Sequence, residues 1–319
     1  WRLSLFVFLG VIGFYIFLAR PAEPVEDLKI AGDLAYMVLG RAGLVIVDVS
    51  SSDQPGEIGS FDTTGHASAV AVLNQYAYVA DGRAGLRIIS IENPGFPREV
   101  SAFDSPGYSD DVVVRNKLVY LADGKPGLQI IDISEVLSPR LVSSFPVNGN
   151  VRRVALQGNF AYLGDNQNQL RVVDVSKASQ PEEVAVLDVG AEIEDMDISE
   201  TRIYLAAGSD GLIIVDITNP AAPAVLTSIE TPGNLQDVAV NLDTIAFLAD
   251  GANGVLVYDL SDLGAVEELG YHSDFLNANQ VDINEAVAYV SDRDSALHVL
   301  DVELDLSLRQ VSSSEQQQG

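Results

Sequence analysis

Leu118-Val119-Tyr120-Leu121-Ala122-Asp123-Gly124-Lys125-Pro126-Gly127-Leu128-Gln129-Ile130-Ile131-Asp132 sets two short apolar runs on either side of a glycine-rich turn. Runs of about five residues, rich in Val, Ile, Leu and Tyr and bounded by Asp-Gly, read as two antiparallel strands rather than a helix. Working outward, Asp111-Val112-Val113-Val114 lies before this hairpin, and Arg140-Leu141-Val142-Ser143-Ser144-Phe145 follows it. The unit therefore reads as four consecutive strands.

The same unit recurs along the chain. Its aromatic falls at Tyr36, Tyr78, Tyr120, Tyr162, Tyr204, Phe247 and Tyr289, at spacings of 42 or 43 residues. A turn acid follows at Asp81, Asp123, Asp165, Asp250 and Asp292, with Leu39 and Ala207 as exceptions. A closing acid recurs at Asp48, Asp132, Asp174, Asp216, Asp259 and Asp301, with Ser90 as the exception. The turn acid needs only a structural reading, because a short carboxylate caps the turn that the glycines permit. Pro55, Pro97, Pro139, Pro181 and Pro223 each precede a fourth strand, where an outer edge tolerates a missing N–H donor. The sixth unit has Leu263-Gly264-Ala265 there instead.

Four strands in about 42 residues is the length of a propeller blade. Seven alike units without atypical end repeats predict a closed ring rather than a solenoid. The fold class expected is all-β, a seven-bladed β-propeller over residues 27–314, its seventh blade completed by Leu306–Ser313. The first copy contains Leu44-Val45-Ile46-Val47-Asp48, and Leu128-Gln129-Ile130-Ile131-Asp132, Leu170-Arg171-Val172-Val173-Asp174 and Leu212-Ile213-Ile214-Val215-Asp216 are close variants. In these residues the chain resembles the LVIVD-repeat family, named for that pentapeptide. The resemblance implies a propeller of the kind found on bacterial and archaeal surfaces or secreted from them. It carries no catalytic residues to transfer.

Leu3–Ala19 is an uncharged apolar stretch between Arg2 and Arg20. A helix of that length reaches the short end of what spans a bilayer core, about 25 Å. A signal peptide is the competing reading, but Arg20 and Pro21 stand where small residues would mark cleavage. The expectation is thus a transmembrane anchor helix over residues 1–20 preceding the propeller. A Pro-containing linker over 21–26 and a polar, disordered tail over 315–319 complete the organisation, with the propeller outside the cytoplasm.

The net charge is −28, from 46 Asp plus Glu against 18 Lys plus Arg. Such a field disfavours nucleic acid as a partner. With no cysteine and three histidines, thiol chemistry is excluded and imidazole chemistry has little to work with. G-x-S-x-G, H-E-x-x-H and Walker signatures are absent. The expected function is a non-catalytic, membrane-anchored, protein-binding accessory or scaffolding subunit. A surface adhesin binding glycan or protein, and a metal-dependent hydrolase at the tunnel mouth, are the alternatives.

Loops joining one blade to the next differ most between copies and fall on one rim, where a rigid scaffold displays variable residues. The rim candidates for partner binding are His66, Tyr108, Asp110, Asn150, Arg152, Glu192, Glu194, Asn234, Leu235, Gln236 and Asn277. Tyr108, Arg152 and Leu235 are the expected anchors. Asp27, Asp111, Asp195 and Asp237 start innermost strands near Arg153. Backbone capping is the simpler account of these four, and Ca²⁺ the weak cofactor candidate. No catalytic residue and no other cofactor is expected.

Overall fold

The computed structural model describes residues 14–17, 23–51, 54–241, 244–273, 275, 277–284, 287–292 and 296–301. They form seven four-stranded antiparallel sheets arranged as the blades of a propeller. Blade 3 has its strands at Asp111–Arg115, Leu118–Ala122, Leu128–Asp132 and Arg140–Phe145, from the innermost outward. Tyr120 faces Ile130 across the central hairpin. Each of blades 1 to 6 also has a register shift between its third and outer strands, as at Ile130/Ile131. A bulge there adds twist to the strand at the perimeter.

The core lies between blades. Tyr78, Leu86 and Ile88 of blade 2 pack with Val112, Leu121 and Ile131 of blade 3, and the same arrangement joins the other neighbours. The central strands are consequently buried on both faces, as in Leu44–Asp48, where only the closing Asp48 reaches the surface. This is why Leu44-Val45-Ile46-Val47 is a continuous apolar run rather than an alternating one. The closing acids cap their own exits: the Ser50, Ser134, Ser176, Thr218 and Ser261 N–H groups donate to the carboxylates two residues earlier.

The N-terminal expectation is corrected. Phe14–Phe17 is a strand and not part of a helix. It pairs antiparallel with Ala296–Asp301, Phe14 opposite Val299 and Phe17 opposite Ala296. It thereby supplies the outer strand of blade 7, whose inner strands come from the far end of the chain. The strand expected in that place, Leu306–Ser313, lies outside the described residues, as do the tail and the rest of the expected anchor. No helix among the described residues is long and apolar enough to cross a membrane. Within the expected linker, Val25 is fully buried in the core between blades 7 and 1. The backbone carbonyl of Val25 accepts a hydrogen bond from the Asn279 side chain.

Candidate functional site: the rim groove and the tunnel

Two concave regions meet at one end of the ring. The first is the central tunnel, lined by the innermost strands, with a cavity of about 210 Å³ bordered by Asp27, Lys29, Asp111, Arg153, Asp195 and Gln280. Strand alternation puts every second residue on this face. Asp27 Oδ1 accepts from the Leu28 N–H at 2.8 Å and its Oδ2 from the Val70 N–H of the next blade at 2.8 Å. Asp111 does the same with Val112 and Val154, and Asp237 with Val238 and Val281. Each carboxylate is a clamp joining adjacent innermost strands.

Two further clamps escape a reading of the repeat register, because they stand two residues later in their blades. Asp197 holds Ile198 and Val240, and Asp282 holds Ile283 and Ile30. The signal available in the sequence is the acid at every second position of Asp195-Met196-Asp197. At the boundary of blades 4 and 5, Arg153 Nε lies 3.2 Å from Asp195 Oδ1. Among the described residues no three His, Asp or Glu side chains are grouped to hold a metal ion.

This acidic tunnel has perturbed ionisation. Burial raises the Asp111 carboxyl to about 6, against the attraction of Arg153. Burial and then the adjacent Asp195 carboxylate hold Asp237 well above the ordinary range. Asp27 holds the Lys29 ammonium well above its usual value, with Asp282, Asp195 and Asp237 adding to the effect. These are the shifts expected when carboxylates crowd a low-dielectric channel.

The second region is an open groove of about 1130 Å³ on the rim beside the tunnel mouth. Its walls are the loops connecting blade 2 to 3, 3 to 4 and 4 to 5, and the hairpin turns between the second and third strands of blades 2, 3 and 4. Two kinds of contact set those walls. Turn glycines pair with the next blade's connecting loop, Gly82 with Ser109 and Gly124 with Val151. The buried turn acids reach back to hold the same loops: Asp123 accepts from Ser105 Oγ at 2.5 Å, Ser109 Oγ at 3.0 Å and the Gly107 N–H at 2.9 Å. The turn acids therefore tie down connecting loops, a wider role than the self-capping expected of them. Asp165 keeps the expected one, accepting from the Gln167 and Gln169 N–H groups.

The groove gathers Tyr108, Asp110, Asn150, Arg152 and Glu192 from the rim candidates. Tyr108 is 37% exposed, its ring lying across Gly82, where an added Cβ would come within 3.0 Å of Cζ. Arg152 Nη1 donates to Glu192 Oε1 at 2.5 Å. Asp110 borders both groove and tunnel, and burial pushes its carboxyl up to about 6 despite Arg153 and Arg152. His66, Glu194, Asn234, Gln236 and Asn277 lie elsewhere on the rim, His66 Nε2 being 3.6 Å from Glu26 Oε1. Leu235 is no anchor: it is fully buried between blades 5 and 6, and its backbone pairs with Gly208. Its apolar side chain fills the core because the loop backbone on either side is held to the neighbouring turn. Arg83, Lys125 and Asn166 complete the groove and were not singled out in the sequence. Their signal is positional, since Arg83 and Lys125 follow the turn glycine in successive repeats.

The fold is shared with solved propellers. The computationally designed Ika8 protein is 10% identical, with a TM-score of 0.67 over 89% of this chain and 98% of that one. The β-propeller domain of Cps50 (Swd1) from Myceliophteria thermophila is 10% identical, with a TM-score of 0.71 over 88% of this chain and 97% of that one. The WD40 β-propeller domain of Doa1 is 9% identical, with a TM-score of 0.71 over 88% and 93%. At such identities the likeness concerns fold alone. No curated protein matches the chain. The LVIVD repeat model matches residues 24–63, 64–105, 106–147, 148–189, 192–231 and 277–307. It passes over the whole of blade 6, the unit that lacks the proline before its outer strand and carries Phe247 in place of tyrosine. With the repeat matched over most of its length, the chain belongs to the LVIVD repeat family.

Proposed function

We propose that this protein is a non-catalytic binding propeller, an accessory or scaffolding subunit that engages another protein through the rim groove over blades 2 to 5. The observation that carries this reading is the contrast between the two concave regions. Asp27, Asp111, Asp197, Asp237 and Asp282 in the tunnel each have both carboxylate oxygens engaged by backbone N–H groups, so the tunnel's chemistry serves to hold blades together. The groove instead presents a half-exposed aromatic, asparagines and cations on loops pinned from below. A rigid wall that carries an aromatic and an arginine suits protein recognition. Membrane tethering, suggested by the hydropathy of Leu3–Ala19, forms no part of this reading, because Phe14–Phe17 is engaged as a blade strand.

Site-specific photo-crosslinking in the native cell tests the proposal. A crosslinking side chain at Tyr108 or Asn150 is expected to trap one partner protein, and one at Leu141 on an outer strand to trap none. Equal trapping at all three positions would remove the groove's claim.

A further inference from the structure

The protein carries few cations, and three of them recur at one structural position. Arg41, Arg83 and Lys125 each follow the turn glycine of their blade, in blades 1, 2 and 3. The equivalent residues of blades 4, 5 and 6 are Gln167, Ser209 and Ala252. All six positions are exposed. The cations thus form an arc confined to one side of the rim, on a chain of net charge −28. None of the three is in an ion pair among the described residues, a state they share with Arg98, Arg115, Lys117, Arg140, Lys177 and Arg202; what sets them apart is their recurrence at one turn position, two of them on the groove. The turn itself does not require a cation here, since blades 4, 5 and 6 carry Gln167, Ser209 and Ala252 at the same position.

The arc continues into the groove. Arg83 and Lys125 line it together with Arg152, and Tyr108 stands between the two turns. Two carboxylates also face the space. Glu192 is bound to Arg152, and Asp110 lies on the tunnel side. Neither is paired with Arg83 or Lys125.

We infer that the groove receives an acidic, extended segment of a partner protein, whose carboxylates meet Arg83 and Lys125 and whose apolar or aromatic side chain packs on Tyr108. This rests on the protein-binding reading above and names the class of partner. Charge complementarity selects it: a basic segment would be drawn to the rest of this acidic surface and repelled at this arc. A nucleic acid would meet the same cations but would also carry its phosphates over the surrounding carboxylates. Placing three cations on successive blades fits a ligand running along the rim rather than a compact anion.

Selection of a random-peptide phage library on the intact protein, followed by fluorescence anisotropy with the winning peptides, tests the inference. Expected winners are rich in Asp and Glu next to an apolar residue. Their affinity is expected to fall about tenfold in an R83E/K125E variant and to weaken from about 0.05 M to about 0.5 M NaCl. An R98E/R140E variant, altered on the outer strands, is expected to bind as the wild type does, and matching thermal melts establish that both variants fold. Neutral or basic winners that require Tyr108 would overturn the acidic class while leaving protein binding at the groove intact. Winners indifferent to both Tyr108→Ala and R83E/K125E would overturn the groove itself. Tighter groove-dependent binding of a single-stranded oligonucleotide, or a concentration-dependent dimer abolished by R83E/K125E, would assign the arc to a nucleic acid or to a second copy and overturn the inference.

Discussion

Asp282 Oδ2 accepts a hydrogen bond at 2.7 Å from the backbone N–H of Ile30, a residue 252 positions away in the chain. The contact joins the innermost strand of blade 7 to that of blade 1 and repeats, at the seam of the ring, the clamp that Asp27 makes with Val70. The seam is held at both its radii, by this clamp at the tunnel and by Phe14–Phe17 at the perimeter. A ring whose ends meet has no exposed terminal blade to protect.

Asp282→Ala is accordingly expected to lower unfolding stability by about 1–3 kcal/mol, since it strips the acceptor from two backbone donors near the tunnel. Urea unfolding of Asp282→Ala beside a surface control, Glu200→Ala, checks this. Equal midpoints for the two would show that the seam does not depend on the clamp.

Closure at the perimeter makes a separate prediction. In a strand, two successive residues point their N–H groups to opposite sides, so prolines at both Tyr15 and Ile16 remove whichever donor faces Ala296–Asp301. The double variant is expected to unfold at a lower temperature and to be cleaved faster by protease within residues 278–301. Unchanged melting, with the protein fractionating with membranes, would restore the anchor helix.

Leu235 and Tyr108 separate stability from recognition. Leu235→Ala opens a cavity between blades 5 and 6 and is expected to cost about 2–4 kcal/mol. Tyr108→Ala truncates a side chain lying over the surface of a turn and is expected to stay within about 1 kcal/mol of the parent while losing the groove's ligand. Chemical denaturation and peptide binding, measured on both variants, distinguish these two outcomes from a shared one.

Acidity acts through the carboxyls with raised pKa values. Burial pushes the Asp110 and Asp111 carboxyls up to about 6 in the folded protein, above the ordinary carboxyl range. Such a group binds its proton more tightly when folded, so its stabilisation is complete below the unfolded value and is lost as pH rises through about 6. The thermal midpoint is therefore expected to climb as pH falls from about 7.5 to about 5. At lower pH the closing acids reverse the trend. Hydrogen bonds from Ser50, Ser134, Ser176 and Thr218 hold Asp48, Asp132, Asp174 and Asp216 below the ordinary value, and their contribution disappears as they protonate. Asp111→Asn, neutral throughout, is expected to flatten the climb. Thermal melts of both proteins across this range check it, and parallel curves would discount Asp111 as a source.

The blade count, the four strands per blade and the Asp-Gly turns are legible in residues such as Leu118–Asp132, because strand propensity, turn chemistry and an inter-blade core are local properties that recur in every copy. So is the choice of rim loops as the variable surface, and five of the named rim residues do line the groove. Leu235 reads as an exposed loop residue yet is buried, because a loop residue's exposure depends on which neighbour its backbone pairs with, and that neighbour is Gly208 in the preceding blade. Asp197 and Asp282 escape the repeat register because they stand two residues later in their blades than Asp27, Asp111 and Asp237 do in theirs, although they make the same kind of clamp. The role of Phe14–Phe17 is hidden for another reason: apolar composition is common to a membrane helix and a blade strand, and only pairing with Ala296–Asp301 distinguishes them. By itself, then, the sequence determined a repeated four-strand unit and its turns. The tertiary structure decided how the ends of the ring meet and which side chains share the groove, because both depend on contacts between residues that closure alone brings together.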